Sequence, residues 1–146
     1  MPTDEASRTV EIAADFDEVL AVIRDVESQV EWIPEILEAQ LLEEYDDGTP
    51  ATARFKASTP VGSDRYTLEY EHSDDGMTWH LVEGRLQTGQ DARYTLRRAG
   101  PGRTEVTFEL TVRHNLPLPG FIRGRVINGL ATSTVTGLKE YLEKGG

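Results

Sequence analysis

The sequence predicts an α+β fold, an antiparallel sheet of six to seven strands with its apolar face covered by a long C-terminal helix, and one or two short helices after the first strand. Three observations carry this reading. Short alternating segments separated by Gly, Pro and Asp turns fill the middle of the chain, the pattern of an antiparallel meander. The last of them, Thr104 to His114, runs through Leu116-Pro117-Leu118-Pro119-Gly120 into one amphipathic helix ending near Leu142. A lone terminal helix after a series of strands covers the apolar face of their sheet, and such a pairing has room for a cavity between the two layers.

The elements follow in order. Arg8 to Ala13 alternates, with Val10 and Ile12 on one face and Thr9 and Glu11 on the other, and reads as the first strand. Asp15 then offers an N-cap, with Glu18 three residues later, and Phe16, Val19, Leu20 and Ile23 recur at helical spacing through about Val26. The pattern breaks around Gln29 to Pro34. Ile36 to Glu44 is strand-like and ends at the turn signal Asp46-Asp47-Gly48-Thr49-Pro50. Ala51 to Ser58, Asp64 to His72, Met77 to Val82, Ala92 to Arg98 and Thr104 to His114 follow, parted by Pro60-Val61-Gly62, Asp74-Asp75-Gly76, Gly84 and Gly100-Pro101-Gly102.

Alternation assigns the faces. Tyr66, Leu68 and Tyr70, Met77, Trp79 and Leu81, Tyr94 and Leu96, and Val106, Phe108, Leu110 and Val112 point inward together. Their neighbours, such as Glu69, Arg93, Arg97 and Glu105, form a solvated outer face with opposite charges available across strands. In the final helix Pro119 suits the first turn, and Ile122, Val126, Leu130, Ser133, Gly137 and Tyr141 form a stripe expected to face the sheet, with Ile127, Thr134, Leu138 and Leu142 beside it. Gly129, Ala131, Ser133, Thr134 and Gly137 fill space poorly. They suit either a void or a close backbone approach.

Composition narrows the functions. The 146 residues contain no repeat, linker or low-complexity block and read as one domain, residues 1–146. A net charge of -11, with only Lys56, Lys139 and Lys144 as lysines, repels phosphate backbones and anionic headgroups, so no nucleic-acid partner is expected. The absence of cysteine excludes disulfides, thiolate metal sites and thiol nucleophiles. The start, Met1-Pro2-Thr3-Asp4-Glu5, has no basic and apolar leader pattern, and no stretch has the roughly 20 apolar residues of a membrane span. A cytoplasmic protein without stable membrane insertion, monomeric or weakly dimeric, is expected.

The order strand, helix, Trp-containing connection, meander and closing helix resembles the START/Bet v 1-like (SRPBCC) superfamily, and within it the bacterial polyketide cyclase/dehydrase and coenzyme Q-binding-type small proteins. The resemblance rests on Val10-Glu11-Ile12-Ala13-Ala14 before the first helix, on Val30-Glu31-Trp32-Ile33-Pro34, and on Leu116-Pro117-Leu118-Pro119-Gly120-Phe121 before Gly137-Leu138-Lys139. It spans nearly the whole chain. It implies the helix-grip fold, a curved antiparallel β-sheet wrapped around the long C-terminal α-helix, and a pocket for a lipid, sterol, polyketide, quinone or hormone. It implies no fixed chemistry, because a fold does not set function.

Against that background the expected ligand-binding residues are Trp32, Phe55, Tyr66, Tyr70, Trp79, Tyr94 and Phe108 from the sheet side, and Ile122, Val126, Leu130 and Thr134 from the helix. The tyrosine hydroxyls suit a ligand carbonyl or hydroxyl. His72 and His114 share the inward parity and are the available imidazole bases, whereas His80 lies on the other face. Both stand at strand ends beside turns, where a rim role is commoner, so no catalytic residue is assigned. Arg123 is a rim residue on this reading. Metal spacing is absent, Gly100 to Gly102 is a turn rather than a phosphate loop, and no cofactor is expected. The leading expectation is a protein that binds a hydrophobic or amphipathic small molecule. A polyketide cyclase or dehydratase using His/Tyr acid-base groups is the first alternative, and a protein-interaction module using the sheet face or Leu116 to Phe121 is the second.

Overall fold

The structure, a computed structural model, describes residues 3–114 and 117–144. Leu116, which begins the proline-rich connection, lies outside them. Strand β1 (Thr3–Ile12) leads into helix α1 (Phe16–Arg24), a 3-10 turn (Val26–Ser28) and the one-turn helix α2 (Gln29–Trp32). Six strands follow, β2 (Ile36–Glu44), β3 (Pro50–Thr59), β4 (Gly62–Ser73), β5 (Gly76–Gly84), β6 (Gln87–Arg98) and β7 (Thr104–His114), and α3 (Gly120–Glu143) closes the chain.

The strands form one antiparallel sheet in the order β1-β7-β6-β5-β4-β3-β2, so the meander runs outward from β7 and β1 returns to β7's free edge. The expected α+β helix-grip architecture is what the chain adopts. Register breaks at Val82 on β5, opposite Thr67/Leu68, and at Gln87/Gly89 on β6 are bulges, which add local twist to a sheet that must bend around a helix. The turn glycines sit where only glycine is comfortable: Gly48 and Gly102 take φ of 86° and 68°. Asp47 braces the first of these turns by accepting from the Thr49 hydroxyl and amide, which holds its carboxyl below the usual range.

Several strands start earlier than alternation alone placed them. β1 begins at Thr3, pairing Thr3 with Arg113, and β6 begins at Gln87, five residues before Ala92. The first helix is also shorter than expected, ending at Arg24, and Asp15 occupies the N-cap position without a side-chain cap bond. Phe16 instead lies beneath the Arg98 guanidinium, 4.2 Å from its ring centre, which ties the helix start to β6.

The inward face is as the alternation assigned it. Tyr70, Met77, Tyr94, Val106 and Phe108 are all buried in one core with Ile12, Val19 and Ile23. On the outer face Arg97 forms a two-pronged pair with Glu105 across β6 and β7. The helix differs from expectation by about one position. Its most buried residues are Ile127, Ala131, Thr134, Val135, Leu138 and Leu142, while Val126, Leu130, Ser133, Gly137 and Tyr141 flank that row. The reason is topological: α3 packs chiefly along β1, an edge strand, and less on β7, which rotates its contact stripe away from the middle of the sheet. The flanking row is thereby free to line a cavity.

Candidate functional site

Between the inner sheet face and α3 lies a cavity of about 480 Å3. Its aromatic wall comes from β4 to β7, where Trp79, Tyr94 and Phe108 stand side by side with ring centres 4.9 to 6.0 Å apart. Tyr66 and Leu68 continue this wall toward β4, and Leu110 and Val112 toward the end of β7. The opposite side is α3, through Val126, Ile127, Gly129, Leu130 and Thr134. A Cβ on Gly129 would meet nothing within 4 Å, so this glycine leaves open space, whereas Gly137 is forced small by the carbonyl of Trp32. The two uses of small residues therefore occur at different points of one helix.

Seven of the eleven residues expected at the ligand site, Tyr66, Trp79, Tyr94, Phe108, Val126, Leu130 and Thr134, line this cavity together. The other four stand outside its lining. Trp32 donates its indole N–H to Ser28 Oγ at 3.0 Å and so fixes the α2 segment. Phe55 stacks on its cross-strand partner Tyr66, at 5.6 Å between centres, and Tyr70 is wedged between Trp79 and His72. Ile122 is half-buried one turn before Val126, away from the lining.

The histidines separate. His72 stands outside the cavity lining, with Nε2 2.7 Å from the Pro50 carbonyl oxygen, and exposed His80 sits 3.1 Å from Glu69. His114 does line the cavity. Its Nε2 is 3.0 Å from Asp4 Oδ2, and the same oxygen lies 3.5 Å from Arg123 Nε, so the start of β1, the end of β7 and the first turn of α3 meet at one carboxylate. Arg123 is thus a fastening residue, and Arg125 is the arginine that lines the cavity, its guanidinium 5.8 Å from the Phe121 ring centre.

Sequence reading missed the polar wall. Trp79 Nε1–H donates to Gln90 Oε1 at 2.7 Å, Gln90 Nε2 to Gln87 Oε1 at 2.6 Å, and Gln87 Nε2 to Asp64 Oδ2 at 2.9 Å. Asp64 Oδ1 accepts from the backbone N–H groups of Arg85 and Leu86. All four side chains line the cavity, and Asp64 is 1% exposed. Parity held the signal. Asp64 shares the face of Tyr66, and Gln90 shares that of Ala92 and Tyr94 once β6 is extended backward. Gln87 could not be placed this way, because the bulge before Gly89 resets the count.

The phenols of Tyr66 and Tyr94 form no hydrogen bond with another described residue. Burial pushes both well above the ordinary tyrosine value, with the Asp64 charge adding to the rise at Tyr66, so both stay protonated near neutrality. They are hydroxyl groups facing an aromatic cavity. Among the described residues no cluster of His, Asp and Glu has the makings of a metal site, and no helix is long and apolar enough to cross a membrane.

An open antiparallel sheet gripping one long helix is the helix-grip fold. The chain belongs to the polyketide cyclase / dehydrase and lipid transport family, whose sequence model matches residues 3–143. Among solved structures it resembles a START superfamily protein from Mycobacterium smegmatis, at 24% identity and TM-score 0.89 over 97% of this chain and 99% of that one. It also resembles the ZhuI aromatase/cyclase from Streptomyces sp. R1128, at 13% identity and TM-score 0.84 over 98% and 95%. A third likeness is to a protein from Thermus thermophilus known as TTHA0849, at 19% and 0.83 over 99% of each chain. At these identities the likeness is one of fold. No curated protein sequence matches the chain.

Proposed function

We propose that this protein binds one hydrophobic or amphipathic small molecule, of lipid, polyketide or quinone type, in the cavity between the sheet and α3. The observation that carries the reading is the cavity itself: about 480 Å3, walled by Trp79, Tyr94 and Phe108 on the sheet and by Val126, Leu130 and Thr134 on α3. That volume falls within the usual range for small-molecule sites, and the mixture of apolar wall and a few polar groups is the usual lining. Burial of apolar ligand surface, at about 25 cal/mol per Å2, supplies affinity without an ionic partner. Native mass spectrometry of gently purified protein tests it. A retained adduct, or uptake of added N-phenyl-1-naphthylamine at one per chain, supports the reading, and an adduct-free protein that takes up no probe contradicts it.

A second reading adds proton transfer in the same container, as a cyclase or dehydratase. It is supported by His114, Tyr66 and Tyr94 lining one cavity, with His114 held by Asp4, and by the family to which the chain belongs. Cyclisation of a synthetic poly-β-ketone is its test. Product formation that survives both Tyr94→Phe and His114→Ala, with each variant folded, removes these residues from the chemistry.

A further inference from the structure

We propose that the buried relay Trp79–Gln90–Gln87–Asp64 makes this cavity selective for a neutral ligand bearing a carbonyl-type hydrogen-bond acceptor, and makes it reject the corresponding carboxylate. The inference rests on the binding reading above and adds the chemical class of the ligand's polar end. It begins with the two ends of the relay. The Trp79 indole can only donate, and an ionised Asp64 can only accept. Asp64 takes three N–H groups, from Gln87, Arg85 and Leu86, and so anchors the acceptor end. With both ends fixed, neither glutamine can flip: each must present its oxygen toward Trp79 and its nitrogen toward Asp64.

That polarity decides what the cavity offers. In each glutamine one N–H is spent along the relay, the oxygen already accepts one, and the second N–H is left over. Tyr66 and Tyr94, each with a protonated hydroxyl, line the same cavity. The polar side of the cavity is therefore supplied with uncharged donors, which match a ketone, quinone or amide oxygen.

The charges facing the cavity oppose an anion. Asp64 lies at the buried end of the relay, and half-buried Glu35 adds a second carboxylate whose Oε1 has no partner among the described residues. Against them stand exposed Arg125, and His114 beside Asp4. Charges act more strongly where water is excluded, so the carboxylates on the wall outweigh the solvated guanidinium. A ligand carboxylate entering there loses its hydration and meets like charge.

Three fluorescent naphthalenes with one ring system separate the cases: 6-propionyl-2-(dimethylamino)naphthalene, which carries a ketone; 6-(dimethylamino)naphthalene-2-carboxylate; and 2-(dimethylamino)naphthalene, which carries neither. The expected result is ketone binding at least about tenfold tighter than carboxylate binding. Gln90→Leu is expected to lower the ratio of ketone affinity to parent-naphthalene affinity about tenfold. Asp64→Asn supplies a readout that a purely structural role would not move. An amide at position 64 that keeps its oxygen on the Arg85 and Leu86 N–H groups turns its N–H toward Gln87, sets donor against donor in a relay that Trp79 holds at its other end, and removes the buried charge, so the ketone-to-carboxylate ratio is expected to collapse toward one. Equal binding of ketone and carboxylate by the wild-type protein overturns the inference and leaves the binding reading intact. Failure of all three to bind overturns both, and the wild-type ratio decides even if either variant fails to fold.

Discussion

Gly137 of α3 lies so close to Trp32 that a Cβ at position 137 would overlap the Trp32 carbonyl oxygen. Backbone-to-backbone contact of this kind joins the end of α2 to the last third of the closing helix. Its consequence is a reversal of the usual helix rule. Ala normally stabilises a helix over Gly by about 1 kcal/mol, yet here overlap with rigid backbone outweighs that gain. Gly137→Ala is expected to destabilise the fold by about 2 kcal/mol. Gly129→Ala, with open space around its new methyl, is expected to stabilise by about 0.5 kcal/mol. Urea unfolding of the two variants checks both signs, and a Gly137→Ala protein as stable as wild type contradicts the packing account.

Val126 sits on α3 at the cavity wall, half-buried with its neighbour Leu130. Replacing it by Trp places a large ring in space that is otherwise empty. The expected outcome for Val126→Trp is at least about a tenfold loss of N-phenyl-1-naphthylamine affinity with a change in unfolding free energy below about 1.5 kcal/mol. A fluorescence titration and a melting curve on the same sample separate a filled cavity from a damaged fold.

Tyr66, Tyr70 and Tyr94 all have phenols pushed upward by burial. In the unfolded chain a phenol ionises near pH 10. The folded state therefore holds more protons than the unfolded state above that pH, and stability present below about pH 10 is lost progressively as the pH rises. Absorbance at the phenolate band is expected to show these three tyrosines ionising only as the protein unfolds. Tyr94→Phe is then expected to reduce the amplitude of that late phase and nothing earlier, whereas loss of an early phase contradicts the buried assignment.

Asp4 joins three chain segments through His114 and Arg123. Removing it takes the Asp4 hydrogen bond from buried His114 and the nearby opposite charge from part-buried Arg123, a change that typically costs about 1 to 3 kcal/mol at such sites. Asp4→Ala is expected to destabilise the protein by that amount and to speed amide hydrogen exchange in the first turns of α3 before it affects the β4–β5 hairpin. Uniform exchange acceleration across the sheet contradicts the local-clamp account.

The sheet and the terminal helix were legible because their signals are periodic. Alternation from Tyr66 to Tyr70 and from Val106 to Val112 assigns the inner face without knowledge of partners, and the observed burial follows it. The cavity's apolar wall was legible for the same reason. Two features were not. The rotation of α3 depends on its lying along β1, a relation between elements far apart in sequence, so the stripe was displaced from Ile122 and Tyr141 toward Ile127 and Leu142. The polar relay depends on one bulge and on strand starts that carry Asp64, Gln87 and Gln90, residues with little strand preference of their own. Tertiary pairing overrides that preference, and pairing is what a single sequence least reveals.

The central claim is that the space beneath α3 is a binding site, and the most direct measurement is a titration of N-phenyl-1-naphthylamine into the purified protein. Trp79 and the probe give matched donor and acceptor fluorescence. The account expects saturable binding at one probe per chain, with the combined emission of Trp32 and Trp79 quenched as probe emission rises. Absence of saturable uptake, or uptake that Val126→Trp leaves unchanged, would contradict it.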